Sequence, residues 1–370
     1  QHLASTLIAP DLCDCVQTNA WFVSGAVRNL VKVGLVHYVP AYFHQIPRLI
    51  RDYVKPDVVV TMVSPMDAAG YFSFGSGSYI IDAARTGKHI IVEVNRHLPR
   101  VFGDSLIHVS EVHAIVEHHA PLPDATIPDP RPEDAVIGER IAGLIPDAAV
   151  LQLGIGGLPN ALCGSLRHHR DLGVHSELIG PGMVELIRAG VITGRKKNYH
   201  PHKHLFCMPY GTADTFAHLN DNPAMEAYSA EYIMDPNVIA RNDRMVAINS
   251  IIEVDLTGQC NAESIDGSQF SGTGGQLDFI RGAYASRGGV AILAFYATAK
   301  SGTVSRVVPV LPAGAAVTTP RMDVHYLVTE YGAVNLKGIS SAERAKAIVS
   351  LAHPQFRDDL LRAAEEMNLF

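Results

Sequence analysis

The sequence predicts an α/β fold with mixed, mainly parallel sheets, and three observations carry that expectation. Asp57 to Val63 (DVVVTMV) is a continuous β-branched run suited to a strand buried on both faces. Ser78 to Thr86 reads as a helix closed by Gly87, and Lys88 to Val94 (KHIIVEV) as the next strand, so strand, helix and strand follow at βαβ spacing. The pattern restarts in the second half: Ala149 to Leu153 (AVLQL) runs into Gly154-Ile155-Gly156-Gly157, and Leu158-Pro159-Asn160 opens a helix with proline near its first position.

A chain of 370 residues exceeds one ordinary core, which predicts two domains. Residues 121–134 (PLPDATIPDPRPED) hold five prolines and four acidic residues, a density that resists both helix and central strand. The division is therefore placed as an N-terminal domain over 1–120, a linker over 121–134 and a C-terminal domain over 135–370.

The remaining elements follow in order. Residues 1–34 read as helical pieces punctuated by Gly25 and Gly34, His37 to Pro40 as a short extended segment, and Phe43 to Val54 as a helix. A short helix is expected over Ala135 to Ile145. Late strands are expected at Val290–Phe295, Val307–Leu311 and Val324–Thr329. Ser340-Ser341-Ala342-Glu343 has capping-box spacing and starts a helix ending near His353-Pro354. A last helix places Phe356, Leu360 and Leu361 on its buried side.

The richest stretch is Val246 to Tyr284. Val246, Ile248, Ile252, Val254 and Leu256 recur at every second position, broken only at Ser250, which predicts one strand with a single buried face. Its other face then carries Asn249, Ile251, Glu253 and Asp255. Thr257-Gly258-Gln259 reads as a turn, and Ser271-Gly272-Thr273-Gly274-Gly275 as a loop whose amides can approach a ligand closely. On spacing alone Glu253 is an exposed strand carboxylate as readily as a catalytic one, and Asp255 reads as the cap of the Thr257-Gly258 turn.

Composition excludes several classes. Apolar residues make up 47% and charged residues 18%, as in a compact globular enzyme. No run of eighteen apolar residues predicts a membrane span, and no signal peptide is visible. A net charge of −7 argues against a general nucleic-acid binder. Five scattered cysteines, with Cys13-Asp14-Cys15 too close for C-x-x-C chemistry, suit a reduced cytoplasmic protein. Eighteen histidines include no H-E-x-x-H, and no metal site is expected. The turn at 154–157 lacks the third glycine of a dinucleotide fingerprint, so it reads as backbone closely approaching a ligand or a facing domain. Arg195-Lys196-Lys197 with Lys203 is the densest basic patch, either a solvated loop or a phosphate contact.

Taken together, NSIIEVDLTGQ (249–259) and SGTGGQLDFIRGA (271–283) resemble the acetyl-CoA hydrolase/transferase family of CoA-transferases, which includes 4-hydroxybutyrate and butyrate–acetate CoA-transferases. LQLGIGGLPNAL (151–162), AGVITGRKKNYHPHK (189–203), RMDVHYLVTEYGAVNLKGIS (321–340) and ERAKAIVSLAHPQFRDDL (343–360) resemble it in the same order, as do stretches at 38–50 and 94–117. The resemblance implies two related three-layer α/β/α domains of the NagB/RpiA-like type with the active site between them. It implies several dozen residues before Gln1, including a first strand and helix.

The resemblance also implies the chemistry. Glu253 falls on the family's nucleophile, with Glu330 as a lower-ranked rival. Gly272, Gly274, Gly275 and, in the TEYG motif, Gly332 become oxyanion or CoA-loop candidates, and Gly154, Gly156, Gly157, Arg195, Lys196, Lys197 and Lys203 CoA-binding candidates. The expected activity is acyl-CoA:carboxylate CoA transfer by ping-pong kinetics, with acyl-CoA hydrolysis by the same glutamate as the alternative. Coenzyme A enters as substrate, with no permanently bound cofactor, and a cytoplasmic homodimer is expected.

Overall fold

A computed structural model describes Leu12 and residues 15–126, 128–154 and 156–370. Cys13, Asp14 and Ile155 lie outside the described residues, as does most of the stretch 1–14. The chain packs into two compact units, each drawn from separate stretches. One takes residues 1–42, 249–277 and 293–370, and the other takes 43–248 and 278–292.

The larger unit is α/β. Its principal sheet runs in the order Met245–Ser250, Val150–Leu153, Gly173–Ile179, His204–Pro209, Met225–Ala227 and Phe102–Gly103, and every pairing is parallel. From Val150 the chain steps outward strand by strand to Met225, then returns to lay Met245–Ser250 on the other side of Val150–Leu153. The strand order thus reverses at Val150–Leu153, and such a reversal leaves a crevice at the carboxyl ends of the strands. Val150, Leu151, Leu153, Met245, Val246, Ala247 and Ile248 are all buried, as a strand covered on both faces requires.

The βαβ unit forms at the predicted spacing, but its first strand is not buried on both faces, since Val58 and Val60 are 51% and 58% exposed. Val58–Val63 and His89–Val94 pair in parallel, with the helix Ile80–Thr86 between them and Gly87 at its end. A third strand, Ala114–Glu117, adds beyond His89–Val94. Val63, Phe72, Ile81, Val92 and Ile107 form the core beneath this sheet. Phe43 to Val54 is helical throughout but changes pitch, from a 3₁₀ turn through one α turn to a π turn, and Lys55 closes it in the left-handed region. Residues 124–126 are tied to the larger unit: Ala125 N–H donates to Gly211 O (2.9 Å), Ala213 N–H to Asp124 Oδ1 (3.2 Å) and the Tyr210 hydroxyl to Thr126 O (3.3 Å). Pro132 then opens the helix Pro132–Ala142.

In the smaller unit, Thr18–Ala20 and Val36–Tyr38 pair in parallel. Glu253–Asp255 pairs antiparallel with Cys260–Asn261 and parallel with Val307–Val308. Tyr326–Thr329 forms a hairpin with Gly332–Asn335. The capping box is present: Ser340 Oγ accepts from Glu343 N–H (3.2 Å) and Ser340 N–H donates to Glu343 Oε2 (2.8 Å). The last helix, Pro354–Glu366, buries Leu360 and Ala364, while Phe356 and Leu361 are half-buried. Among the described residues no helix is long and apolar enough to cross a membrane.

One expected strand is two. Met245–Ser250 ends where the expected strand should continue, and Glu253–Asp255 belongs to a different sheet. The apolar alternation hid the break because Ile251 and Ile252 each find other backbone partners, Ala294 O (3.2 Å) and Asn261 O (2.8 Å). The second face is not a solvent face either, since Ile251 and Asp255 are buried.

Candidate active site

Glu253 begins its short strand half-buried, and Asn261 Nδ2, directly opposite in register, donates to its Oε1 at 2.8 Å. Asn261 is buried, and its Oδ1 accepts from the N–H groups of Glu263 (3.1 Å) and Ser264 (3.0 Å). Glu263 in turn accepts on Oε2 from Thr273 Oγ1 (3.4 Å), Gln269 Nε2 (3.0 Å) and the Tyr38 hydroxyl (3.2 Å). Burial, reinforced by the Glu263 charge, pushes the Tyr38 phenol up to about 12, so it stays a donor. The structure therefore joins Glu253 to the glycine loop through Asn261 and Glu263. Sequence reasoning singled out neither intermediary.

Within that loop, Gly274 has φ +56, and a Cβ on Gly272 would stand 2.9 Å from Trp21 O. The close approach at Gly272 requires glycine, while the left-handed dihedral at Gly274 favours it. Gly275 immediately precedes the helix Gln276–Ala285. Gly332 differs. It pairs with Thr329 in the hairpin and a Cβ there would meet only Leu351 Cδ2 at 3.5 Å, so nothing steric requires glycine. Glu330 accepts the Ala297 N–H on both carboxylate oxygens (3.1 and 3.0 Å).

Asp255 is structural. Its Oδ1 accepts from Thr257 N–H (2.9 Å), Thr257 Oγ1 (2.7 Å) and Gln259 N–H (2.9 Å), and its Oδ2 from Gln259 Nε2 (2.7 Å). Removing a buried carboxylate strands these donors. Asp255→Ala is expected to cost about 3 kcal/mol or more in urea unfolding. A variant as stable as the parent would show that the turn does not need its cap.

In the larger unit, Gly154 and Gly156 follow the strand Val150–Leu153, and Gly157 starts the helix Gly157–Ser165. Gly156 adopts φ +121, open in practice only to glycine. Gly154, Gly156, Asn160, Cys163, Gly180 and Met183 help to line a cavity of about 40 Å³ at the carboxyl end of the sheet. That is room for a few non-hydrogen atoms, not for a nucleotide.

Sequence reasoning missed one residue here. Gly173–Ile179 (GVHSELI) was not expected as a strand, because His175, Ser176 and Glu177 break its apolar run. The structure buries the first two with partners: His175 Nε2 lies 2.8 Å from Ile233 O, and Ser176 Oγ donates to Leu153 O (3.4 Å). Burial holds the His175 imidazole down to about 3, hence neutral. Glu177 comes next and is half-buried. Gly173 pairs with Val150 and Val174 with Leu151, so the same register brings Glu177 level with Gly154. On its other side Ser176 pairs with Phe206 and Leu178 with Met208, bringing Glu177 level with Cys207. The Cys207 thiol is pushed well up, by burial first and then by the Glu177 charge. The available signal was a lone carboxylate ending a strand just before Gly180-Pro181-Gly182.

The basic patch lies at the opposite end of this sheet. Arg195 pairs with Asp171 (2.8 Å), ahead of the Gly173 strand, and Lys203 immediately precedes His204–Pro209. Lys203 Nζ donates to Pro223 O (2.6 Å) and pairs with Glu226 (2.8 Å). Lys197 is 5% exposed, and its ammonium donates to Val174 O (2.9 Å) and Lys203 O (2.8 Å), a structural anchor and not a phosphate contact. Only Lys196 of the four is both exposed and without a recorded partner among the described residues. The glycine turn and the patch were expected to share a ligand, and a strand of seven residues, roughly 20 Å, separates their ends.

Comparison with known proteins agrees with this architecture. Models of the acetyl-CoA hydrolase/transferase N-terminal and C-terminal domains match residues 6–125 and 211–364. The succinyl-CoA:cyclohexane-1-carboxylate CoA transferase of Geobacter metallireducens is 43% identical over 99% of this chain and 84% of its own length. The 4-hydroxybutyrate coenzyme A transferase of Clostridium kluyveri is 47% identical over 93% of this chain and 80% of its own. A crystal structure of RipA from Yersinia pestis superposes with a TM-score of 0.96 at 46% identity, covering 100% of this chain and 86% of that one. With both domain models matched and CoA-transferases aligned along nearly the whole sequence, the chain belongs to the acetyl-CoA hydrolase/transferase family.

Proposed function

We propose that the protein is an acyl-CoA:carboxylate CoA-transferase, of the acetate, butyrate or 4-hydroxybutyrate type, working through a glutamyl-CoA thioester. A glutamate carboxylate attacks the thioester carbonyl, forming a mixed anhydride and expelling CoA thiolate. The thiolate attacks the glutamyl carbonyl, releasing the first acid and leaving CoA on the enzyme. An incoming carboxylate reverses both steps, so the thioester bond is conserved and no metal or redox partner is consumed. Backbone N–H donors at the developing oxyanion are worth about 3 kcal/mol each, a suitable role for a glycine turn. Coenzyme A is a substrate in this scheme. A cytoplasmic homodimer belongs to the same reading.

Two glutamates compete for the nucleophile, and the geometry favours Glu177. The observation that carries this choice is its place at the carboxyl end of a central parallel strand, level with Gly154 where the strand order reverses. Glu253, which the family resemblance suggested, sits on a three-residue strand of a small sheet with Asn261 bonded to its carboxylate. Either residue supports hydrolysis as well, if water captures the intermediate. Thioester loss from acetyl-CoA is therefore measured with and without butyrate. Dependence on butyrate with formation of butyryl-CoA is the expected result, and equal loss without any acid would make the protein a hydrolase.

A further inference from the structure

Between the strand Tyr71–Ser73 and the helix Ile80–Thr86, the residues 75–78 (GSGS) run onto the principal sheet of the larger unit. Gly77 N–H donates to Cys207 O (2.7 Å), and a Cβ at Gly77 would stand 1.8 Å from Tyr228 O, so only glycine lets the backbone come this close. Ser78 is then held from two directions. Its N–H donates to Cys207 Sγ (3.1 Å), and its carbonyl accepts from Ala230 N–H (2.8 Å). Cys207 is the residue that the strand register sets level with Glu177, about 4.8 Å away on the neighbouring strand, so the two side chains leave the same face. Ala230 opens the helix Ala230–Ile233, and Ile233 O meets His175, which shares that face with Glu177 two residues on. Ser78 therefore lies on the face of the sheet from which Glu177 projects.

Its backbone has φ +50, in the left-handed region that glycine adopts freely and serine seldom does. Such conformations persist where the surrounding structure fixes them, and they gather at functional sites. Ser78 is also only 6% exposed, yet its hydroxyl has no hydrogen-bond partner among the described residues, and the oxygen is not sealed from solvent. A hydroxyl so placed is a donor awaiting an acceptor. We propose that Ser78 is a catalytic donor, whose hydroxyl binds the oxyanion formed when an acid attacks the glutamyl thioester on Glu177. The inference rests on the transferase reading with Glu177 as nucleophile. In that step a carboxylate oxygen of the acid bonds to the thioester carbon, and the carbonyl electron pair moves onto its oxygen. The pair then returns, the C–S bond breaks and CoA leaves as thiolate. The Ser78 hydroxyl keeps its proton throughout and stabilises the negative oxygen by a hydrogen bond that is strongest in the transition state.

The test compares Ser78→Ala and Ser78→Gly in the whole protein, by kcat and KM for exchange between acetyl-CoA and butyrate and by melting temperature. Both variants remove the hydroxyl, and glycine also relieves the left-handed backbone. Each is expected to lower kcat by about 10²-fold, with KM for acetyl-CoA little changed. The melting temperature of Ser78→Gly should stay at or above the parent's. A kcat near the parent's in both variants would overturn the proposal. A loss in Ser78→Ala that Ser78→Gly restores would overturn it too, by tracing the effect to the backbone and not to the hydroxyl. The underlying reading is checked separately in the parent, by treatment with acetyl-CoA and borohydride. Absence of a modified Glu177 there would overturn that reading and the proposal with it, whereas a modified Glu177 beside unimpaired variants would overturn the role of Ser78 alone.

Discussion

Glu177→Gln is expected to lower the turnover of CoA exchange by about 10³-fold or more while leaving thermal stability unchanged. The amide matches the carboxylate in shape but is no nucleophile toward a thioester, so the covalent intermediate is lost and binding is kept. Glu177 is half-buried near the end of its strand, and the isosteric amide keeps its packing. Glu253→Gln is the comparator. It retains the carbonyl oxygen that accepts from Asn261, so its turnover should fall by no more than about tenfold. The opposite pattern, with Glu253→Gln inactive and Glu177→Gln active, would return the role to the residue first suggested by family resemblance.

The second large effect concerns pH and stability. Burial pushes the Lys197 ammonium down from 10.5 to about 7, only partly offset by the Glu226 charge. A lysine whose folded pKa lies below its unfolded value holds fewer protons folded than unfolded, so stability rises with pH between about 7 and 10.5. The penalty is complete below that window and relieved above it. A shift of this size corresponds to roughly 5 kcal/mol. Lys197→Met should flatten the rise. At high pH it should be the less stable protein, because Val174 O and Lys203 O lose their donor, and near neutral pH the two curves should converge or cross. Chemical denaturation across this window decides it, and parallel curves for parent and variant would show that Lys197 does not titrate there.

How much of this was legible depended on whether neighbouring residues in sequence were also neighbours in space. The βαβ unit could be read because Val58–Val63 and His89–Val94 are β-branched, apolar runs at the right spacing, although the burial expected on both faces is met on only one, where Val59, Val63, Ile90, Val92 and Val94 are buried. The Ser340–Glu343 cap could be read because both partners lie within one turn. Asp255 was read as a turn cap for the same reason, and it caps the turn. Glu177 escaped notice because the polarity of His175 and Ser176 is compensated by Ile233 O and Leu153 O, far along the chain. Lys197 looked like a surface cation because nothing local shows its cavity: Gly173 makes room, and a Cβ there would stand 2.6 Å from Lys197 Cγ. The family resemblance ran the length of the chain and identified the family, while the proposed choice among its carboxylates rests on the strand register.

The most direct test is to incubate the protein with acetyl-CoA, reduce with borohydride and sequence the modified peptide by mass spectrometry. Borohydride converts a glutamyl thioester to the alcohol and releases CoA, so the side chain that carried sulfur is marked permanently. The account predicts the mark on Glu177, within the tryptic peptide 171–188 and distinguished from Glu185 by fragmentation. A mark on Glu253 would contradict the assignment of the nucleophile, and turnover with no marked glutamate at all would contradict the covalent mechanism itself.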